Sequence, residues 1–105
     1  MAVLARDAGR IRIQAVIVPS VLQVDPGRWR AALERFGLDA AKYDPNRPNE
    51  VFHEIFSRHG IPVLDLSETF RAALTRGERI YYPIDQHLTP AGYERLAEKV
   101  AATLQ

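Results

Sequence analysis

The hydrophobic positions change period along the chain, and these changes separate strands from helices. Residues 11–19, IRIQAVIVP, form a nearly continuous β-branched run ended by a proline, which predicts a parallel strand buried on both faces. The shorter run IPVLDL, residues 61–66, predicts a second strand of the same kind. We expect residues 1–9 to form a short helix closed by Gly9, and residues 79–82 a short extended piece.

Two helices are predicted between these strands. Asp25 is a suitable N-cap with Pro26 in the first turn, and Gly37 closes this helix. After a turn-rich loop over residues 38–47, the second helix runs over about residues 48–59. The predicted apolar faces are Trp29, Leu33 and Phe36 in the first helix, and Val51, Phe52, Ile55 and Phe56 in the second.

Two more helices are predicted after the second strand. Ser67 is expected to cap one of them, which ends at Gly77. The last helix begins at Thr89, its N-cap, and Pro90, in its first turn. Its apolar stripe is formed by Tyr93, Leu96, Ala97, Val100, Ala101 and Leu104.

Strands that alternate with helices predict an α/β fold, in which a parallel sheet is flanked by helices. The 105 residues fit a single domain, residues 1–105. Two strands are few for such a sheet, which usually has four or more. The exposed edges of a two-stranded sheet would require partners, so we expect the chain to be part of something larger.

Composition narrows the class of protein. Hydrophobic residues make up 47% and charged residues 26%, which is typical of a globular chain. The net charge of +1 is spread over mixed acids and bases, so no nucleic-acid partner is predicted. The absence of cysteine excludes disulfides, thiolate metal sites and cysteine nucleophiles. No apolar run reaches the roughly 20 residues of a membrane span, and the N-terminus lacks a signal peptide's apolar core. A complete chain would be cytoplasmic; otherwise its localisation is unknown.

The segment YYPIDQHLTPAGY, residues 81–93, carries the candidate chemistry. His87 is a suitable general base because the unperturbed imidazole pKa is about 6.5. Asp85 is close enough in sequence to orient the imidazole. The alternative is a turn whose polar side chains only tie down the backbone. No third ligand has suggestive spacing, so no metal is predicted.

The segment PIDQHLTPAGYERLAEKV resembles the last motif of the SGNH (GDSL-type) hydrolases. In that family an acid and a histidine precede a short turn, a glycine and an amphipathic terminal helix. The preceding segments VIVPSVLQVDPGRW and GIPVLDLSETF follow the order found in a branch of bacterial SGNH proteins. Some of these resemble the acyl-transferring or deacetylating proteins of polysaccharide modification. The resemblance implies a partial three-layer α/β/α, flavodoxin-like fold, of which this chain is the C-terminal portion.

The resemblance also implies roles for individual residues. His87 matches the catalytic base and Asp85 the acid that orients it, although many members space this pair by three residues. Leu88, Thr89 and Gly92 match positions that shape the turn and the start of the helix. The implied substrate is an O-acylated small molecule or glycan, and no cofactor is implied.

The nucleophile is not visible in the sequence. The family supplies a serine in a Gly-Asp-Ser-like motif, with a glycine and an asparagine as oxyanion donors, expected N-terminal to this segment. None of these motifs is present; of the three serines, Ser57 lies inside a predicted helix and Ser67 is a predicted helix cap. Ser20 follows the first strand, but no flanking glycines permit a nucleophile elbow, so a turn or pocket position is the simpler interpretation. Tyr81 and Tyr82 are candidates for the pocket wall.

Two hypotheses follow for the whole chain. In the first, it is an incomplete ester hydrolase or O-acyltransferase, inactive alone and completed by another chain or by self-association. In the second, it is a non-catalytic α/β module that forms a homo-oligomer through its exposed strand edges.

Overall fold

The computed structural model describes residues 2–7 and 10–104, with side chains over residues 12–104. Within these residues the strands are β1 (Ala2–Asp7), β2 (Arg10–Ile17) and β3 (Val63–Asp65). The helices are α1 (Val21–Val24), α2 (Pro26–Phe36), α3 (Arg47–Arg58), α4 (Ser67–Thr75) and α5 (Pro90–Thr103), and one 3-10 turn spans Ala40–Lys42.

The strands form one sheet in the order β1-β2-β3. β2 and β3 are parallel, with Ala15 opposite Val63 and Ile17 opposite Asp65. The helical segment α1–α3 connects them, as a parallel pair requires a long crossover. The predicted α/β fold with few parallel strands flanked by helices is therefore confirmed.

The helix predicted over residues 1–9 is wrong for residues 2–7. These residues form β1, which pairs antiparallel with β2 from Ala2 opposite Ala15 to Asp7 opposite Arg10. The physical reason is that β1 satisfies backbone groups along the edge of β2 that β3 leaves free. Gly9, the expected end of the helix, lies outside the described residues.

The hydrophobic core lies where β2, α1 and α4 meet the segment before α5. Phe70 and Tyr81 meet there edge to face, with ring centroids 5.9 Å apart. From α5, Leu96 and Val100 pack against this cluster. The fully or nearly buried members are Val16, Val21, Val24, Leu66, Phe70, Ala73, Ile80 and Tyr81.

The predicted caps are confirmed at two helices and wrong at a third. Asp25 accepts the N–H groups of Gly27 and Arg28 at the start of α2, and Thr89 accepts the N–H of Gly92 at the start of α5. Ser67 lies inside α4 rather than at its cap. The carboxylate of Asp65 accepts its N–H at 2.9 Å, because an aspartate two residues upstream reaches this first-turn donor.

Helix α3 has the predicted apolar spacing but does not bury its apolar face. Phe52 is 52% exposed and Ile55 is also exposed, whereas the one buried residue of the helix is polar, Asn49. The spacing of the apolar residues predicts which side chains share a face of the helix, but it does not show whether another element packs against that face.

Candidate functional site

Asp85 and His87 lie on a closed hairpin that leads into α5. Tyr81 and Leu88 form an antiparallel bridge. The Tyr82 N–H donates to the His87 carbonyl at 2.8 Å, and the Gln86 N–H donates back to the Tyr82 carbonyl at 3.1 Å. The chain between residues 82 and 87 is therefore held by backbone hydrogen bonds.

The hairpin is anchored on the first turn of α5. The Thr89 hydroxyl lies against the carbonyls of Arg79 and Ile80, to one of which it donates. It also accepts the Gly92 N–H at 3.2 Å. A Cβ at Gly92 would lie 2.5 Å from the Ile80 carbonyl oxygen. Only glycine permits α5 to approach the hairpin this closely.

The Asp85 carboxylate contacts His87 twice. Oδ1 accepts the His87 backbone N–H at 3.1 Å, and Oδ2 lies 3.4 Å from Nδ1 of the imidazole. The backbone N–H first, and the imidazole second, hold the pKa of Asp85 below its ordinary value. Asp85 therefore stays ionised, as an acid that orients a histidine must be.

The pair is open to solvent. The His87 side chain is 76% exposed and that of Asp85 59% exposed. The distance of 3.4 Å between Nδ1 and Oδ2 exceeds that of an ordinary N–H···O hydrogen bond, which is common in unliganded sites. Across the described side chains, nothing hydrogen-bonds to Nε2 of His87, so this nitrogen is available to take a proton.

The residue between the acid and the histidine has an uncommon backbone conformation. Gln86 has a φ of 60°, and it is the one non-glycine residue with positive φ in the described chain. This left-handed conformation costs a residue with a Cβ about 1 kcal/mol. It turns Asp85 back toward the N–H of His87. The spacing of the motif gave no signal of it.

Of the other predicted site residues, Tyr81 and Tyr82 belong to the same hairpin, whereas Ser20 lies on a separate segment. Tyr81 is buried and its hydroxyl donates to the Pro19 carbonyl at 2.7 Å, which ties the hairpin to the segment following β2. This burial raises the pKa of Tyr81 above its ordinary value. Tyr82 is exposed. Within the described residues, no hydrogen bond or ion pair joins Ser20 to Asp85 or His87.

Ser20 instead borders an apolar groove of about 640 Å³ at the carboxyl end of β2. Trp29 from α2 and Phe52 and Phe56 from α3 line it, together with Tyr43 from the loop between these helices. The exposed face of α3 is thus one wall of a concave surface. Sequence reasoning missed this groove because its walls come from separate helices.

A buried polar network lies beside the groove. The Asn49 amide is 7% exposed, donates to Ser67 Oγ at 3.0 Å and accepts from Gln23 Nε2 at 3.0 Å. Ser67 Oγ in turn donates to Asp65 Oδ1 at 2.6 Å. The Asn49 side chain therefore joins α1, α3 and α4.

The described residues contain neither a cluster of metal-ligating side chains nor a membrane-spanning helix. In residues 2–7 and 10–104, no cluster of three or more histidine and carboxylate side chains is arranged to hold a metal ion. In the same part of the chain, no helix is long and apolar enough to cross a membrane.

The family of the chain is established by a match that spans most of its length. A protein-family model described as "SGNH hydrolase-like domain, acetyltransferase AlgX" matches residues 12–105. The chain belongs to this family, so the resemblance noted in the sequence is confirmed. Comparisons with curated proteins and with solved structures found no match.

Proposed function

We propose that this chain carries the acid–base half of a site for ester hydrolysis or O-acyl transfer. The observation that supports the proposal best is the Asp85 carboxylate held against both the backbone and the imidazole of His87, within an SGNH hydrolase-like domain. The substrate class we propose is an O-acylated small molecule or glycan.

In the proposed reaction, His87 acts as general base. Nε2 removes the proton of a serine hydroxyl as its oxygen attacks the acyl carbon, and Asp85 stabilises the imidazolium that forms. The proton then passes from His87 to the oxygen of the departing alcohol, which breaks the ester bond. A second alcohol or a water molecule reverses these steps and releases the acyl group from the serine.

The attacking serine in this proposal comes from outside residues 1–105. Ser67 is buried and donates to Asp65, and Ser57 lies on exposed α3 beside His53, with 3.4 Å between Oγ and Nδ1. Ser20 lines the groove, and no hydrogen bond among the described residues joins it to His87. Because charge stabilisation at the oxyanion is usually the largest catalytic contribution, the pair alone is expected to be nearly inactive on natural esters.

A second function is favoured by the exposed surfaces. β3 is an edge of the sheet, and α3 leaves Phe52 and Ile55 exposed. A non-catalytic module that self-associates would cover these surfaces. It predicts a stable dimer and no dependence of any activity on His87.

The test compares the chain alone with the same chain extended at both ends by its own flanking coding sequence. Each protein is treated with p-nitrophenyl acetate and with a fluorophosphonate probe, followed by mass mapping. We expect no labelled serine and hydrolysis no faster than free imidazole for residues 1–105. We expect a labelled serine in the extended protein that is lost in His87→Ala.

Ser20→Ala in the short chain is the matched control. Stoichiometric labelling of Ser20 that disappears in His87→Ala would contradict the proposal, because the chain would then have its own nucleophile. Labelling of the extended protein that is unchanged in His87→Ala would also contradict it.

A further inference from the structure

The groove between α2 and α3 has apolar walls and a closed polar floor. The Gln23 side chain accepts the Ser20 N–H at 2.9 Å and donates to the Pro45 carbonyl at 2.8 Å. Asn49 is equally occupied by Gln23, Asp65 and Ser67. With these groups paired to one another, the groove offers mainly aromatic and aliphatic contact. Its volume is within the range of about 300–1,000 Å³ typical of small-molecule sites.

A second recess adjoins the groove and is basic. Leu22 lines both cavities, and the second is also lined by Arg28 and Arg35 of α2 and by Gln86 of the hairpin. Arg28 and Arg35 are seven residues apart, two helical turns, and therefore lie on one side of α2. Ala31 and Ala32 lie between them in sequence and also line the recess.

Both arginines of the recess lack a carboxylate partner within the described side chains. Arg35 stacks over the ring of Phe36, with its guanidinium carbon 5.7 Å from the centroid. The adjacent carboxylate, Asp25, accepts the backbone N–H groups of Gly27 and Arg28. The positive charge of the recess is therefore available to an anion.

We propose that the groove and the recess together bind an anionic amphiphile. Its apolar chain would lie against Trp29, Phe52 and Phe56, and its anionic group would lie beside Arg28 and Arg35. Walls that are mainly aromatic and aliphatic suit an aliphatic chain better than a bare sugar, whose hydroxyls need hydrogen-bond partners. The paired guanidinium groups supply the charge complementarity for a phosphate or carboxylate.

The site also borders the catalytic candidate. Gln86, which lines the basic recess, lies directly between Asp85 and His87. If the acyl-transfer function proposed above holds, the anionic group of a ligand in this site would lie beside the hairpin that carries His87. Binding itself does not depend on that chemistry and is tested without it.

Trp29 is the one tryptophan of the chain and lines the groove, so its fluorescence reports occupancy directly. We would titrate the purified chain with decyl phosphate, decyl glucoside and inorganic phosphate, the two amphiphiles below their micelle-forming concentrations. We expect a saturable blue shift with decyl phosphate, about tenfold weaker binding of decyl glucoside, and no shift with phosphate alone.

Two pairs of variants separate the groove from the recess. Phe52→Ser is expected to weaken the binding of decyl phosphate about tenfold. Ile55 is an exposed apolar residue of the same helix outside the groove lining, so Ile55→Ser is expected to leave this binding unchanged. Arg28→Gln combined with Arg35→Gln is expected to remove the preference for decyl phosphate over decyl glucoside. Circular dichroism checks that each variant is folded.

Three results would overturn the proposal. One is the absence of a saturable change in Trp29 fluorescence. Another is binding in folded Phe52→Ser equal to that of the unmodified chain. The third is a dimer, seen by sedimentation, that Phe52→Ser dissociates and Ile55→Ser does not. The groove would then be an interface between copies. Because no result concerns hydrolysis, failure here is distinct from failure of the proposed function.

Discussion

The chain contains the same local hydrogen-bonding arrangement twice, once around Asp65 and once around Asp85. In each case an aspartate accepts the backbone N–H of the residue two positions later, at 2.9 Å for Ser67 and 3.1 Å for His87. In each case the carboxylate also contacts the side chain of that residue, at 2.6 Å and 3.4 Å. Both turns precede a helix.

The two turns differ in the burial and the further hydrogen bonds of the residue that the aspartate contacts. Ser67 is buried and accepts from Asn49, so every polar group of its turn is committed to the fold. His87 is exposed, and its turn is held by the backbone of the hairpin. A closed network stabilises structure, whereas an open pair with a free ring nitrogen is available for chemistry. The Asp-x-polar spacing alone does not separate the two cases.

The largest expected effect on the free energy of unfolding comes from disrupting the contact between α5 and the hairpin that carries Asp85. Gly92→Ala would place a methyl group 2.5 Å from the Ile80 carbonyl, so the hairpin and α5 must move apart. We expect a loss of about 3 kcal/mol in the free energy of unfolding, measured by urea denaturation. Gly27→Ala is the control, because its Cβ would meet Asp25 at an ordinary 3.4 Å. A Gly92→Ala chain as stable as the Gly27→Ala chain would contradict the packing described.

Removing the Asn49 side chain, which holds the Asp65 turn, is expected to have the next largest effect on the free energy of unfolding. Asn49→Ala removes the buried amide that accepts from Gln23 and donates to Ser67, and we expect it to cost about 2 kcal/mol. The matched control is Asn46→Ala, whose side chain makes no cap hydrogen bond at the start of α3, and it should change stability by less than about 0.5 kcal/mol. Equal losses for the two variants in urea denaturation would mean that the network does not stabilise the fold.

The smallest effect expected is on the acid dependence of stability. The pKa of Asp85 is lowered in the folded chain, so its stabilising contribution is complete above the ordinary value and is lost as pH falls through the folded value. Unfolding of Asp85→Asn should therefore depend less steeply on pH between roughly pH 5 and pH 2. The Arg95 guanidinium, and then that of Arg76, lower the pKa of Glu78, so Glu78→Gln should act in the same direction.

Glu34→Gln is the control for this measurement, since the exposed Glu34 carboxylate has no ion pair with any described side chain. It should leave the acid slope as it is in the unmodified chain. If Asp85→Asn has the same slope as Glu34→Gln, the contact between the carboxylate and His87 is absent in solution.

Local chemistry made part of the fold predictable. Asp25 with Pro26 and Thr89 with Pro90 start their helices as expected, because a cap and a first-turn proline act within a few residues. The Asp85–His87 contact was predictable for the same reason. The family resemblance rested on this segment and was confirmed.

Features that depend on distant residues were not predictable. The strand at residues 2–7 exists through its pairing with β2, and Asn49 is buried through contacts with α1 and α4. The face of α3 was predicted as apolar, but its exposure depends on what packs against it. The left-handed Gln86 follows from closure of the hairpin rather than from any preference of glutamine.

The most direct test of the account is the tautomer of His87, read from ¹⁵N chemical shifts of the imidazole above neutral pH. If Asp85 orients His87 as a base, the proton lies on Nδ1 and Nε2 is bare, and Asp85→Asn shifts the ring toward the Nε2–H tautomer. A ring that is already the Nε2–H tautomer in the unmodified chain, and unchanged in Asp85→Asn, would contradict the acid–base pair on which the proposed function rests.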